Sequence, residues 1–220
     1  MNLNNYLILA AGRGLSMDGI HKLKLLVPGT QETFRDHLEK NFYGNFSFVV
    51  GYRAAELVSY WPDLNIFYNN RWFETGSSYS ACIGLDGLKN DTPITVMPCD
   101  LIYSKRAVDL ITQCDSDSIF IVNTENRSPN SLNVVLDGKN IIKCYRGPKK
   151  DGNHYEATGI VKIFSTTTLN NLIDNCYANP NSYLLETVIN SSDKYNWVDL
   201  TNDVREVNTS EEYFELWNHR

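Results

Sequence analysis

The chain has 220 residues, of which 42% are hydrophobic and 21% charged, with a formal net charge of −6. That length suits one compact domain, residues 1–220, with a core large enough to hold without staples. The acidic balance argues against a general binder of nucleic acid or anionic membranes. The five cysteines, Cys82, Cys99, Cys114, Cys144 and Cys176, form no C-x-x-C pair, and no long apolar run is present. The sequence therefore predicts a reduced cytoplasmic protein without a disulfide or zinc framework, leader or membrane span.

Residues 6–10 read as an apolar strand that runs into Gly12-Arg13-Gly14. Helical composition follows at 33–42, then a strand at 46–50 ending at Gly51-Tyr52. A helix at 54–60, a short strand at 65–68 and a strand at 93–97 ending at Pro98-Cys99-Asp100 continue the alternation. This order predicts an α/β, Rossmann-like, mostly parallel (mixed) sheet flanked by helices. Ligands of such sheets gather beyond the carboxyl ends of the strands, so Gly12, Gly51 and Asp100 are expected on one rim. The second half predicts strands at 118–123 and 133–136, a hairpin turn at 137–140 and a return strand at 141–145. A basic loop at 146–152 precedes a strand at 154–164, helices at 166–176 and 182–191, and a strand near 197–200. Ser210 caps a closing helix at 210–217 with Glu211 and Glu212 in its first turn.

The turn after the first strand carries the chemical signal. Small residues there let backbone N–H groups approach phosphate oxygens, and Lys24 in Leu23-Lys24-Leu25-Leu26 offers a point charge. Leu9-Ala10-Ala11-Gly12-Arg13-Gly14 with this lysine resembles the opening signature of the nucleoside-triphosphate transferase superfamily, L-A-A-G-x-G, a short loop, then P-K-x-L. Asn69 to Ser80 is similar to an N-x-x-[YF]-x-x-[TN]-x-x-x-x-S segment of small bacterial cytidylyltransferases acting on phosphocholine and phosphonates. Asp100 after a strand, Tyr155-Glu156-Ala157-Thr158-Gly159, and Glu206-Val207-Asn208-Thr209-Ser210-Glu211-Glu212-Tyr213 match later family segments in order.

The resemblance implies a nucleotidyltransferase (GT-A-related) fold and a reaction that joins a nucleoside triphosphate, CTP favoured, to a small phosphorylated alcohol, amino alcohol, amino acid or phosphonate, releasing pyrophosphate. Its products would feed surface-polysaccharide or lipid decoration. It implies nucleotide contacts from Leu9, Ala10, Ala11, Gly12, Arg13, Gly14, Lys24, Ser77, Ser78 and Asp100, with Lys24 and Asp100 catalytic. It places Mg²⁺ on Asp100 and Asn208, and the acceptor near Glu156 and Thr158; Trp72, Tyr79 and Glu186 are further acceptor candidates read from side-chain chemistry. Trp72, Tyr79 and Trp197 could box a cationic head group. The family's triphosphate-binding arginine is missing: Leu15-Ser16-Met17 stands there, leaving Arg13, Lys22 or another residue to substitute. Asn208 replaces the usual terminal metal aspartate, and Asp199 and Asp203 are alternative carboxylates. A sugar-1-phosphate nucleotidylyltransferase and a silent nucleotide-binding regulator are the competing expectations, and on any of these readings the protein is expected to be a monomer or homodimer.

Overall fold

A computed structural model describes residues 3–124, 131–138 and 140–218. The first half contains β1 (Asn4–Ala10), α1 (Phe34–Asn41), β2 (Gly44–Val50), α2 (Ala54–Tyr60), β3 (Ile66–Tyr68), α3 (Ser77–Gly87) and β4 (Ile94–Pro98). Next come β5 (Leu101–Tyr103), α4 (Lys105–Gln113), β6 (Ser118–Val122), β7 (Leu132–Asp137) and β8 (Asn140–Arg146). The chain continues through β9 (His154–Ile163), α5 (Thr166–Ala178), α6 (Leu184–Ile189), β10 (Asn196–Asp199), β11 (Val204–Glu206) and α7 (Ser210–Asn218).

The main sheet has the order β10-β6-β9-β4-β1-β2-β3, with the β7–β8 hairpin attached through β7 to β9. Only β9 runs against its neighbours on the seven-strand path, so the expected mostly parallel sheet is observed. The predicted hairpin turn forms between Asp137 and Asn140, while Lys139 lies outside the described residues.

Alternation along β1 shows why both faces need cover. Leu7 packs into the core layer with residues of α3, α5 and α6, whereas Tyr6, Ile8 and Ala10 pack with residues of α1, α2 and α4. Thr33 begins α1 with a reciprocal capping box to Asp36. Two helices, α3 and α4, add to those predicted. In α3, buried residues face several directions, so no single apolar stripe announces it in the sequence.

Two details place the ligand rim. Ala10 pairs with Val50 and Leu9 with Pro98, so β1, β2 and β4 end side by side. Near the middle of β9, Gly159 has φ of 82°, and the Thr158 hydroxyl donates to Phe120 O while accepting from Ile160 N–H. That bulged stretch brings Glu156 opposite Val122 at the carboxyl end of β6, where both line one cleft. Finally β11 pairs antiparallel with β5, and Val207 N–H donates to Asp100 O at 3.1 Å, bringing the C-terminal segment to the same rim. Among the described residues no helix is long and apolar enough to cross a membrane.

Candidate active site

The turn after β1 uses its two glycines differently. Gly14 has φ of 60°, and a Cβ there would lie 2.8 Å from Ile20 O, so the fold itself requires glycine. At Gly12 an added Cβ meets no protein atom within 4 Å, and the residue is exposed. Its bareness serves no packing need within the chain. The neighbouring loop is pinned: Tyr52 N–H donates to Ala11 O, and the buried His21 Nε2 donates to Ala10 O at 2.9 Å. Burial pushes the His21 imidazole down to about 4, so the ring is neutral at physiological pH. Gly51 is also required by packing, since a Cβ would sit 2.5 Å from Trp72 Cβ.

A short helical turn over residues 22–24 follows His21 and separates two lysines. Lys22 Nζ donates to Asp100 Oδ2 at 2.6 Å and to Val207 O at 2.9 Å. Burial works against this charge, but Asp100 outweighs it and holds the ammonium above its ordinary pKa. Lys24 is placed elsewhere: it donates to Glu56 at 2.6 Å and lies over the Tyr60 ring. The lysine beside Asp100 is therefore Lys22, while Lys24, the lysine singled out from the sequence, lies against α2. Both fit the same short spacing, and only the turn shows which one faces the rim. Arg13 is exposed and has no ion pair among the described residues.

Asp100 Oδ1 is buried without a hydrogen-bond partner among the described residues. Nearby, desolvation of its carboxyl group and the Asp100 charge hold Glu206 above its ordinary pKa, opposed by a hydrogen bond from Asn208. Asn208 lies one residue past the contact of Val207 with Asp100, and its carbonyl accepts from the Ser16 hydroxyl. The competing carboxylates are committed elsewhere. Asp199 accepts from Thr201, and Asp203 accepts from Ser104 and Arg106.

A cleft of about 630 Å³ opens beside this group, with Asn123, Glu156, Thr158, Thr201, Asn202, Arg205, Glu206, Asn208 and Glu212 on its walls. Burial raises the Glu156 carboxyl above its ordinary pKa, although it accepts from the Ser131 hydroxyl. A cavity of similar size, about 610 Å³, involves Asn5, Gly44 and Asn45 at the amino ends of β1 and β2, away from the rim.

Several other predicted contacts face away from this cleft. Ser77 Oγ accepts from Leu184 N–H, and the fully buried Ser78 hydroxyl bonds to Thr187, so both join α3 to α6. Glu186 accepts from Arg146 at 2.7 and 3.1 Å and from Tyr183 N–H. Thr158 lies at the cleft, but its hydroxyl serves the β9 bulge. Trp72 packs with Tyr52 and Phe73, Tyr79 lies under Arg71, and Trp197 stacks with Tyr155. These aromatics have separate neighbours and build no shared box. From the sequence Lys22 stood only as a possible substitute for the missing arginine, and Glu206 and Glu212, though inside the matching terminal segment, carried no site role; the K-L-K run held a signal for the first.

The family profile of the MobA-like NTP transferase domain matches residues 6–154. The chain belongs to this family. Its activity class is nucleotidyl transfer. A search of curated protein sequences finds no match. Among solved structures, the CTP:phosphocholine cytidylyltransferase of Streptococcus pneumoniae superposes with TM-score 0.75 at 16% identity, covering 98% of each chain. The inositol-1-phosphate CTP transferase of T. maritima gives 0.72 at 15% identity, over 99% of this chain and 96% of that one. A putative glucose-1-phosphate thymidylyltransferase of Bacillus anthracis gives 0.67 at 14% identity, over 98% and 94%. At these identities the likeness establishes the nucleotidyltransferase fold. The matched span includes the glycine turn, Lys22 and Asp100, and ends just before Glu156.

Proposed function

We propose that this MobA-like transferase joins CTP to a small phosphorylated amino alcohol or aminophosphonate, with Mg²⁺, and releases pyrophosphate. The observation that carries the reading is the Lys22–Asp100 pair past the carboxyl end of β4, the strand beside β1 and its glycine turn, with Glu206 and Asn208 of the 630 Å³ cleft next in the chain to its Val207 contact. The anionic acceptor oxygen attacks the α-phosphorus in line. The bond to the bridging oxygen breaks, pyrophosphate leaves with the electron pair, and no protein base is needed. The turn at Ala11–Arg13 offers backbone N–H groups and one free guanidinium to the triphosphate. Lys22 would supply the positive charge that meets charge developing there.

The residues present fit a divalent ion. Asp100 Oδ1 is a buried carboxylate oxygen without a donor, and Asn208 can add a neutral oxygen. Mg²⁺ usually takes only one or two protein ligands and completes its octahedron with phosphate and water. When bound, Mg²⁺ would supply charge neutralisation between nucleotide and acceptor.

The preference for CTP rests on the resemblance of residues 69–80 and on two structural neighbours named as CTP enzymes. The preference for an amine rests on Glu156 and Glu212, whose carboxylates suit a hydrogen-bonding ammonium. A quaternary ammonium would instead favour an aromatic box. Amide and hydroxyl side chains at Asn123, Thr201 and Asn202 support a second reading, a sugar 1-phosphate as acceptor.

A pyrophosphate-release screen separates these readings. Four nucleoside triphosphates are tested against phosphoethanolamine, aminoethylphosphonate, phosphocholine, glycerol phosphate, phosphorylated amino acids and sugar 1-phosphates. The expected result is release with CTP and a primary-amine acceptor. Release only with a sugar 1-phosphate selects the second reading, and no release with any pair favours a silent nucleotide binder.

A further inference from the structure

Lys22 occupies an unusual position for a residue meant to meet phosphate. Its side chain and that of Asp100 are each nearly nine-tenths buried, at 14% and 13% exposure. The ammonium bridges Asp100 Oδ2 and Val207 O, linking the residue next to Asn208 with the carboxylate proposed to bind metal. Asp100 Oδ1 is left without a partner, and Glu206 adds a second acidic group to the same corner. A free divalent ion arriving at Asp100 therefore meets a cation already seated on the same carboxylate. Like charges at such separation in a partly buried site repel strongly. Lysine is suited to move, because its charge ends a flexible four-carbon stem with three rotatable donors. A triphosphate entering over Gly12 would give that ammonium several anionic oxygens in exchange for one carboxylate.

We infer that Lys22 stands in for the divalent ion on Asp100 until nucleotide arrives, so that metal enters only together with the triphosphate. This rests on the proposed nucleotide reading, but its signature does not need turnover. Removing the ammonium should leave Asp100 and Glu206 uncompensated and create a metal site that needs no nucleotide.

The test uses Mn²⁺, followed by electron paramagnetic resonance, as the probe for binding to the full chain. Wild type is expected to bind Mn²⁺ weakly alone and at least tenfold more tightly with CTP present. Lys22→Met is expected to bind Mn²⁺ without nucleotide at least tenfold more tightly than wild type, and adding Asp100→Asn should abolish that gain. Lys22→Gln, which keeps a donor for Val207 O, gives the same comparison if the methionine variant does not fold. Tight nucleotide-free binding by wild type overturns the inference without any variant. So does a folded Lys22 variant with no gain. If the variant gains affinity while CTP does nothing for wild type, the stand-in role survives and the nucleotide reading fails.

Discussion

Lys22 and Lys24 stand two residues apart and belong to different parts of the molecule. Lys22 faces Asp100 across the rim, whereas Lys24 pairs with the half-exposed Glu56 on α2. Loss of one preorganised charge at a phosphoryl-transfer site costs roughly 10²–10³-fold in rate. Lys22→Ala is therefore expected to lose activity on that scale. Lys24→Ala should keep turnover within about threefold and leave stability close to wild type, because a solvent-screened pair contributes little. Steady-state kinetics and urea melts of both variants check this, and the opposite ranking would return the role to Lys24. The sequence made the need for a lysine legible, since Lys22-Leu23-Lys24 follows the glycine turn. It could not choose between the two, because the choice depends on a turn whose direction is set by the buried Leu23 and His21. The same limit applied to Asn208, Asp199 and Asp203. Local spacing offers all three, and only the β5–β11 pairing brings Asn208 beside Asp100.

Elements explain why a motif can be read correctly and interpreted too directly. In the 69–80 segment, Asn69 is fully buried, its amide donates to Thr75 and Ser80, and its carbonyl accepts from Arg71 N–H. The matching positions thus tie the connection from β3 to α3 into one shape, and Ser77 and Ser78 fasten it to α6. Asn69→Ala leaves buried groups unsatisfied and is expected to cost about 1–3 kcal/mol. Urea denaturation measures it, and a neutral result would free the motif for a direct ligand role. The turn after β1 has its own thermodynamic signature. His21 has a folded-state pKa of about 4 against an ordinary 6.5, because burial disfavours the imidazolium. Below 6.5 the unfolded chain takes up the proton first, so stability present at neutral pH drains away as pH falls towards 4. The linkage is worth up to about 3 kcal/mol. His21→Gln should therefore show a shallower loss of stability between pH 7 and 4.5 than wild type; an equal slope would place the acid sensitivity elsewhere.

Across the whole molecule, the strands with near-continuous apolar runs were the legible ones. β1, β2 and β4 are parallel, buried on both faces, and end together as the alternation predicts. The reversal of β9 between β4 and β6 was not legible, because direction is a property of pairing rather than of local pattern. Nor was the three-residue pairing of β5 with β11, too short to show a period. Yet these two features build the site, one carrying Glu156 to the cleft and the other Asn208. The cleft's charge makes a prediction at this scale. Glu156→Gln should weaken use of a primary-amine acceptor about tenfold, the worth of one charge-assisted hydrogen bond, while leaving an uncharged alkyl phosphate unaffected. Equal losses for both acceptors would remove Glu156 from head-group recognition. The most direct test of the account is the rate of pyrophosphate release against Mg²⁺ concentration for wild type, Asp100→Ala, Asn208→Ala and Asn208→Asp. Asp100→Ala should be inactive at every Mg²⁺ concentration, Asn208→Ala should need more Mg²⁺ and turn over more slowly, and Asn208→Asp should retain substantial activity. Near-wild-type release by Asp100→Ala would contradict the assignment of this rim as the reaction centre.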